Sequence, residues 1–164
     1  MEFISQLQNS AIMDWVRESG SLLGYPFILF LHTIGLATVA GLNGAIDLRL
    51  LGVASRIPLS SLSRFFPFIW IAFAVTAASG LTLLIADAES KLGSAVFYVK
   101  MVFVALALIN LHLLKKRVFT DPGLDTQPLS AQAKVLALSS LLFWVGATTA
   151  GRLMAYITPV AGLN

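Results

Sequence analysis

Residues 29–52 read LFLHTIGLATVAGLNGAIDLRLLG, an apolar run with His32 near its start, Asn43 in its second half and Asp47-Leu48-Arg49 at its close. About 20 apolar residues, each rising about 1.5 Å in a helix, cover about 30 Å of hydrocarbon, so this run predicts a membrane span. A helix that only had to dissolve in lipid would carry leucine at positions 32, 43 and 47. The polar residues therefore raise the question of what they hold.

The rest of the chain repeats the pattern. Of its 164 residues 57% are hydrophobic and only 12% charged, against about 25% charged in an ordinary soluble domain. The apolar material falls into four blocks, about 22–46, 66–86, 95–114 and 135–157, separated by short polar connectors. They predict an all-α fold: one integral membrane four-helix bundle, running up-down-up-down, as a single membrane domain over 1–164. The length of the runs and the weak period-two alternation argue against a β-barrel. No internal repeat and no second domain is visible.

Residues 1–20, MEFISQLQNSAIMDWVRESG, carry acids early and have neither a basic start nor a continuous apolar core, so they do not read as a cleavable signal. They place Phe3, Ile4, Leu7, Ala11, Trp15 and Val16 near one side of a helix, which predicts an interfacial amphipathic helix on the membrane surface. A frayed polar tail is the alternative. The chain has no cysteine, which excludes disulfides, thiolate catalysis, thioether-linked haem and thiolate-held iron–sulfur clusters. Its net charge of +3 comes with no basic, aromatic-interleaved face, so nucleic acid is not an expected partner.

The charge distribution sets topology. Arg49, Arg56 and Arg64 follow the first block, and Lys115, Lys116, Arg117 and Lys134 flank the third connector. The other side carries Glu2, Asp14, Glu18, Asp87 and Glu89, offset by Arg17 and Lys91. Short cytoplasmic loops are enriched in Lys and Arg, which predicts a multi-pass membrane protein with both termini outward. In the third connector, VFTDPGLDTQPLSAQAK, the Asp-Pro-Gly and Gln-Pro steps break helices and Ser130 is a candidate N-cap for the last span. Small residues in the spans (Gly35, Ala40, Gly41 and Gly44; Ala77, Ala78, Ser79 and Gly80; Gly146, Ala147, Ala150 and Gly151) predict close helix packing.

An ionisable group in hydrocarbon costs at least about 2.5 to 3.5 kcal/mol on insertion scales, so it pairs, lines a cavity or binds something. The candidates are His32, Asn43, Asp47, Lys100, Asn110, His112 and Arg152. Eleven residues make three helical turns with about 20° left over, so His32 shares a face with Asn43, and Met101 with His112, whereas Lys100 points away from His112. By helical rise His32, Lys100, Met101 and Arg152 fall in the outer half of the membrane, and Asn43, Asp47 and His112 in the inner half. The two histidines then differ in depth by about 12 Å.

Two histidines on different spans are a ligand set for b-type haem, because neutral imidazole coordinates iron from either face of the porphyrin. The depth difference disfavours a shared site. The expected arrangement has His32 as the histidine ligand, Met101 or a vacant position opposite, and Lys100 with Arg152 neutralising propionates near the outer surface. His112 would then hydrogen-bond Asn43 or Asp47. Competing readings stay open: histidines that only bridge helices, Lys100 and Arg152 snorkelling to the interface, Asp47 pairing with Arg49 or Lys115, and copper(I) held by His32, Met101 and Met154.

The run LHTIGLATVAGLNGAIDLRLLG, with FYVKMVFVALALINLHLLKK in the third span and GRLMAYI in the fourth, resembles a family of small four-span bacterial membrane proteins. Its most specific part is the succession of His, Ala-Gly and Asp-Leu-Arg. The family is distantly similar to the HemJ-type protoporphyrinogen oxidases and to CopD-type copper-resistance membrane domains. That resemblance implies haem binding at the early histidine, here His32, and an activity-linked lysine, here Lys100. The present chain departs from the HemJ pattern around the Ala-Gly step, with Val39 before it and Asn43-Gly44-Ala45 after it, so substrate identity does not carry over.

The leading expectation is a membrane-embedded redox protein with one haem b, exchanging electrons with quinol or an outer-face partner. The alternatives are a HemJ-like oxidase, a copper-handling protein, and a non-catalytic subunit packed in a larger membrane complex.

Overall fold

The computed structural model describes Gln6 and residues 9–157. Its helices are α1 (Ala11–Glu18), α2 (Tyr25–Leu50), α3 (Leu59–Leu62), α4 (Phe65–Ala86), α5 (Ala88–Leu92), α6 (Ala95–Arg117) and α7 (Ala131–Ile157), and the described residues include no strand. Four of them, α2, α4 (with α3 leading into it), α6 and α7, are long and apolar enough to cross a membrane. The chain is an all-α helical bundle of the multi-pass membrane type.

The helix boundaries have local causes. The first span starts at Tyr25 rather than at residue 22, because Gly20 takes a positive φ of 59° and Ser21 closes a turn onto Gly24 before Pro26 enters the first helical turn. It runs four residues past Ile46, to Leu50, since Asp47 and Leu50 are buried with Ile46. The last span begins at Ala131, where the Ser130 hydroxyl accepts the Ala133 N–H at 3.2 Å, the cap expected from the sequence. Lys115, Lys116 and Arg117 extend α6 through its last turn, where cations face the negative end of the helix dipole.

Gly35, Val39, Asn43, Ile46, Asp47 and Leu50 recur at three- and four-residue spacing and form the buried stripe of α2. Along it α2 packs closely on α4 and, by a thinner seam, on α7, while α7 packs closely on α6. Gly35 sets the α2–α4 approach: a Cβ there would fall 2.4 Å from Thr76 Oγ1 and 3.1 Å from the Ala72 carbonyl. On the other pair the Phe103 ring fills the notch at Gly146. The α4 and α6 helices share no comparable contact among the described residues, so the bundle stays open along that side.

Outward faces are apolar. Phe68, Ile71, Val102 and Leu142 are each more than half exposed, a surface that a water-soluble monomer rarely presents and a lipid belt solvates. At one end the α2–α4 connector meets the α6–α7 connector, where Asp125 Oδ1 accepts the N–H groups of Leu59 (2.6 Å) and Ser60 (3.2 Å). At the other end α1 docks on α4, burying Val16 and directing Arg17 Nη1 to the Ala86 carbonyl at 3.4 Å. Ala11, Trp15 and Val16 of the expected surface helix lie in α1, with Trp15 half exposed; Phe3, Ile4 and Leu7 lie outside the described residues.

Candidate functional site

The gap between α4 and α6 is a groove of about 370 Å³, open laterally. One wall is α4, from Phe73 to Leu84; the other is α6, with Phe97, Lys100, Met101 and Val104; α2 supplies the floor through His32, Leu36 and Val39, and Trp144 of α7 closes the back. The lining is almost wholly apolar, and its ionisable members are His32 and Lys100.

His32 is seated by α4. Its Nδ1 lies 2.9 Å from the Thr76 carbonyl oxygen and 3.3 Å from Ser79 Oγ. A carbonyl only accepts, so Nδ1 carries the hydrogen and, in the neutral ring, Nε2 holds the lone pair. The ring packs onto the α4 backbone at Gly80, where a Cβ would come within 2.8 Å of Cε1 and 3.1 Å of Nδ1. Ser79 itself is anchored by donating to the Val75 carbonyl at 2.7 Å. Nε2 has no hydrogen-bond partner among the described residues. An Nδ1–H bonded to a backbone carbonyl fixes the tautomer and ring angle and makes Nε2 a better metal ligand, the usual second partner of a ligating histidine.

Lys100 crosses to the α7 side, its Cε and Nζ lying 3.6 and 3.8 Å from where a Cβ on Gly151 would stand. No carboxylate pairs with it among the described residues. The indole Nε1 of Trp144 is buried without an acceptor among the described residues. The groove thus offers one imidazole lone pair, one ammonium without a counter-anion and one thioether.

The structure brings together His32, Lys100 and Met101, three of the residues singled out from sequence. It does not add the other two. His112 and Arg152 are exposed and lie outside the groove lining. The expected hydrogen bond from His112 to Asn43 or Asp47 does not form, because His112 is on the exposed side of α6 whereas Asn43 and Asp47 are fully buried; Asn43 Nδ2 bonds instead to Asp47 Oδ2 (2.8 Å) and Ser140 Oγ (2.5 Å). Nor does Asp47 pair with Arg49 or Lys115. Arg49 turns back to the carbonyls of Ile57 (2.6 Å) and Ser55 (2.9 Å), and Lys115 stands 5.7 Å over the Phe66 ring. Among the described residues no group of three or more His, Asp or Glu side chains is placed to hold a metal ion.

Sequence reasoning missed the seat. The run Ala77-Ala78-Ser79-Gly80 reads from sequence as a helix-packing stretch, yet Ser79 and Gly80 position the imidazole. The run of small residues was the visible signal, and what it lacked was the partner helix. Gly146 and Gly35 do serve packing, while Gly41 faces open space.

Compared with known proteins, the chain matches no family model, and neither the curated proteins nor the solved structures yield a match.

Proposed function

We propose that the protein is a membrane redox protein that holds one b-type haem in the lateral groove, with His32 Nε2 as its protein ligand. The observation that carries this reading is the His32 Nδ1–H bond to the Thr76 carbonyl, which leaves the Nε2 lone pair without a partner beside an apolar groove. The donor set fits such a group. His32 would hold the iron, Lys100 would meet a propionate, Met101 stands on the opposite wall as a second soft donor, and Trp144 Nε1 is a buried donor in need of an acceptor. Bound there, haem supplies one-electron chemistry, while the chain supplies the ligand, a dry surround and a charge. Quinol and an outer-face protein are the electron partners we propose, since the lateral opening gives a lipid-soluble molecule access from the bilayer. The excess of Lys and Arg on the two connectors that meet at Asp125 supports termini facing outward from a bacterial inner membrane.

A second reading is favoured by one specific observation. His32 and Lys100, which the resemblance to HemJ-type oxidases singles out, are 68 positions apart and open on the same groove. On this reading the groove takes a porphyrinogen-like substrate as well.

A visible spectrum of the detergent-purified protein, oxidised and then reduced with dithionite, tests the proposal. A Soret band with a sharp reduced α-band is expected, lost in His32→Ala and retained in His112→Ala. A colourless protein from haem-replete cells overturns the haem reading and leaves a non-catalytic membrane subunit or a copper site, which metal analysis separates.

A further inference from the structure

A second polar cluster lies deeper in the bundle, away from the groove. Asp47 and Asn43, one helical turn apart on α2, and Ser140 on α7 are each fully buried. Asn43 Nδ2 donates to Asp47 Oδ2 at 2.8 Å and to Ser140 Oγ at 2.5 Å, which uses both hydrogens of the carboxamide nitrogen. Two oxygens are left over: Asp47 Oδ1 and Asn43 Oδ1 are buried and have no donor among the described residues.

Among the described residues the surroundings supply no positive charge. The helices packed on α2 are α3, α4 and α7. Neither α3 nor α4 contains a titratable side chain, and the titratable residues of α7, Lys134, Arg152 and Tyr156, are exposed. On α2 itself Arg49 is bonded to carbonyls of the following connector. A carboxylate enclosed this way would have the Asn43 N–H and the neighbouring Ser140 hydroxyl but no counter-charge, a costly state for a buried charged group.

A single proton removes the whole deficit. Placed on Asp47 Oδ1 it turns that oxygen from an acceptor without a donor into an O–H donor, in a cluster where Asn43 Oδ1 is a buried acceptor still to be filled. A proton needs no cavity, whereas a metal cation needs several oxygen ligands and this cluster has one carboxylate. We infer that Asp47 is an intramembrane proton-binding site, holding a neutral carboxylic acid paired with the Asn43 carboxamide.

The test is infrared spectroscopy of the whole protein in lipid nanodiscs at neutral pH, with aspartate labelled by carbon-13 at the side-chain carboxyl. The chain has five aspartates. The other four have ionic or backbone N–H partners that Asp47 lacks: Asp14 pairs with Arg17, Asp87 with Lys91 at 3.2 Å, and Asp121 and Asp125 accept backbone N–H groups. An isotope-shifted carbonyl band of a neutral acid is therefore expected, and it should vanish in Asp47→Asn and move to higher frequency in Asn43→Leu. The labelled wild type reports the acid whether or not either variant folds. An aspartate signal made up only of carboxylate bands overturns the inference. So does a neutral-acid band that survives Asp47→Asn, or one abolished by added sodium, which would make the site a metal-cation site.

Discussion

The imidazole of His32 rests directly on the backbone of Gly80, with no room between them for even a methyl group: a Cβ on Gly80 would stand 2.8 Å from Cε1. One helix therefore supplies the ring and another sets its angle. Gly80→Ala should push the ring off the Thr76 carbonyl, since neither the ring nor the helical backbone can yield by that much without breaking a contact. Overpacking of this kind costs about 1 to 3 kcal/mol. The expected result is a lower melting temperature together with a displaced or diminished Soret band, read on the same purified sample. A variant that matches wild type in both would show that the ring is not held by α4.

Lys100 lines the groove with no carboxylate against it among the described residues. Lys100→Met keeps the apolar stem and removes the charge. A charge-assisted hydrogen bond contributes about 1.5 to 3 kcal/mol, which predicts haem dissociation about 10- to 100-fold more readily than from wild type. Titration of the apoprotein with haem and with a haem analogue whose propionates are esterified checks the role. The variant should lose the preference for the free acid, and an undiminished preference would assign Lys100 to the interface.

Two glycines of α2 should respond in opposite ways. A Cβ at Gly35 collides with Thr76 and the Ala72 carbonyl, whereas Gly41 has nothing within 4 Å. Gly35→Ala is expected to destabilise by about 1 to 3 kcal/mol, and Gly41→Ala to be neutral or to stabilise by up to about 1 kcal/mol through helix propensity. Thermal unfolding in one detergent compares the pair. A destabilising Gly41→Ala would mean that the exposed side of α2 is covered by another chain.

Asp125 ties the two basic connectors together. Hydrogen bonds from Ser60 and from the Ser60 and Leu59 N–H groups, helped by Arg49, hold its carboxyl below the ordinary aspartate value. Its folded-state value is lowered, so its stabilising contribution is present at neutral pH. That contribution fades as pH falls through the ordinary value of about 3.9 and is gone once pH passes below the folded-state value. Melting temperature measured against pH should therefore drop across that acidic window in wild type and drop less in Asp125→Asn. Equal slopes would remove Asp125 from the account.

Much of this protein was legible in order along the chain. Four apolar runs predict four membrane helices because hydrocarbon leaves backbone groups no partner but one another, and that rule acts within each segment. Ser130 as a cap, the breaks around Asp121-Pro122-Gly123 and the polar exceptions in the spans are local in the same sense. Counting residues puts His32, Lys100, Met101 and Arg152 in one half of the spans and His112 in the other, but it does not say which of them face one opening, and Arg152 lies outside the groove.

Which helix lies beside which is another matter, for lipid rewards no particular pairing and small shape differences decide it. The close contact of Gly35 with Thr76, the seating of His32 on Gly80, and the gap that α4 and α6 leave beside Lys100 depend on surfaces that meet only in three dimensions. For the same reason Asp47 found Asn43 and Ser140 rather than Arg49: position along α2 put an acid at the end of a span, but the rotation of that helix against α7 turned it inward. Sequence alone determined that this chain crosses a membrane and carries polar groups into it; the packing of α2 between α4 and α7 decided which of those groups face an opening and which are sealed away.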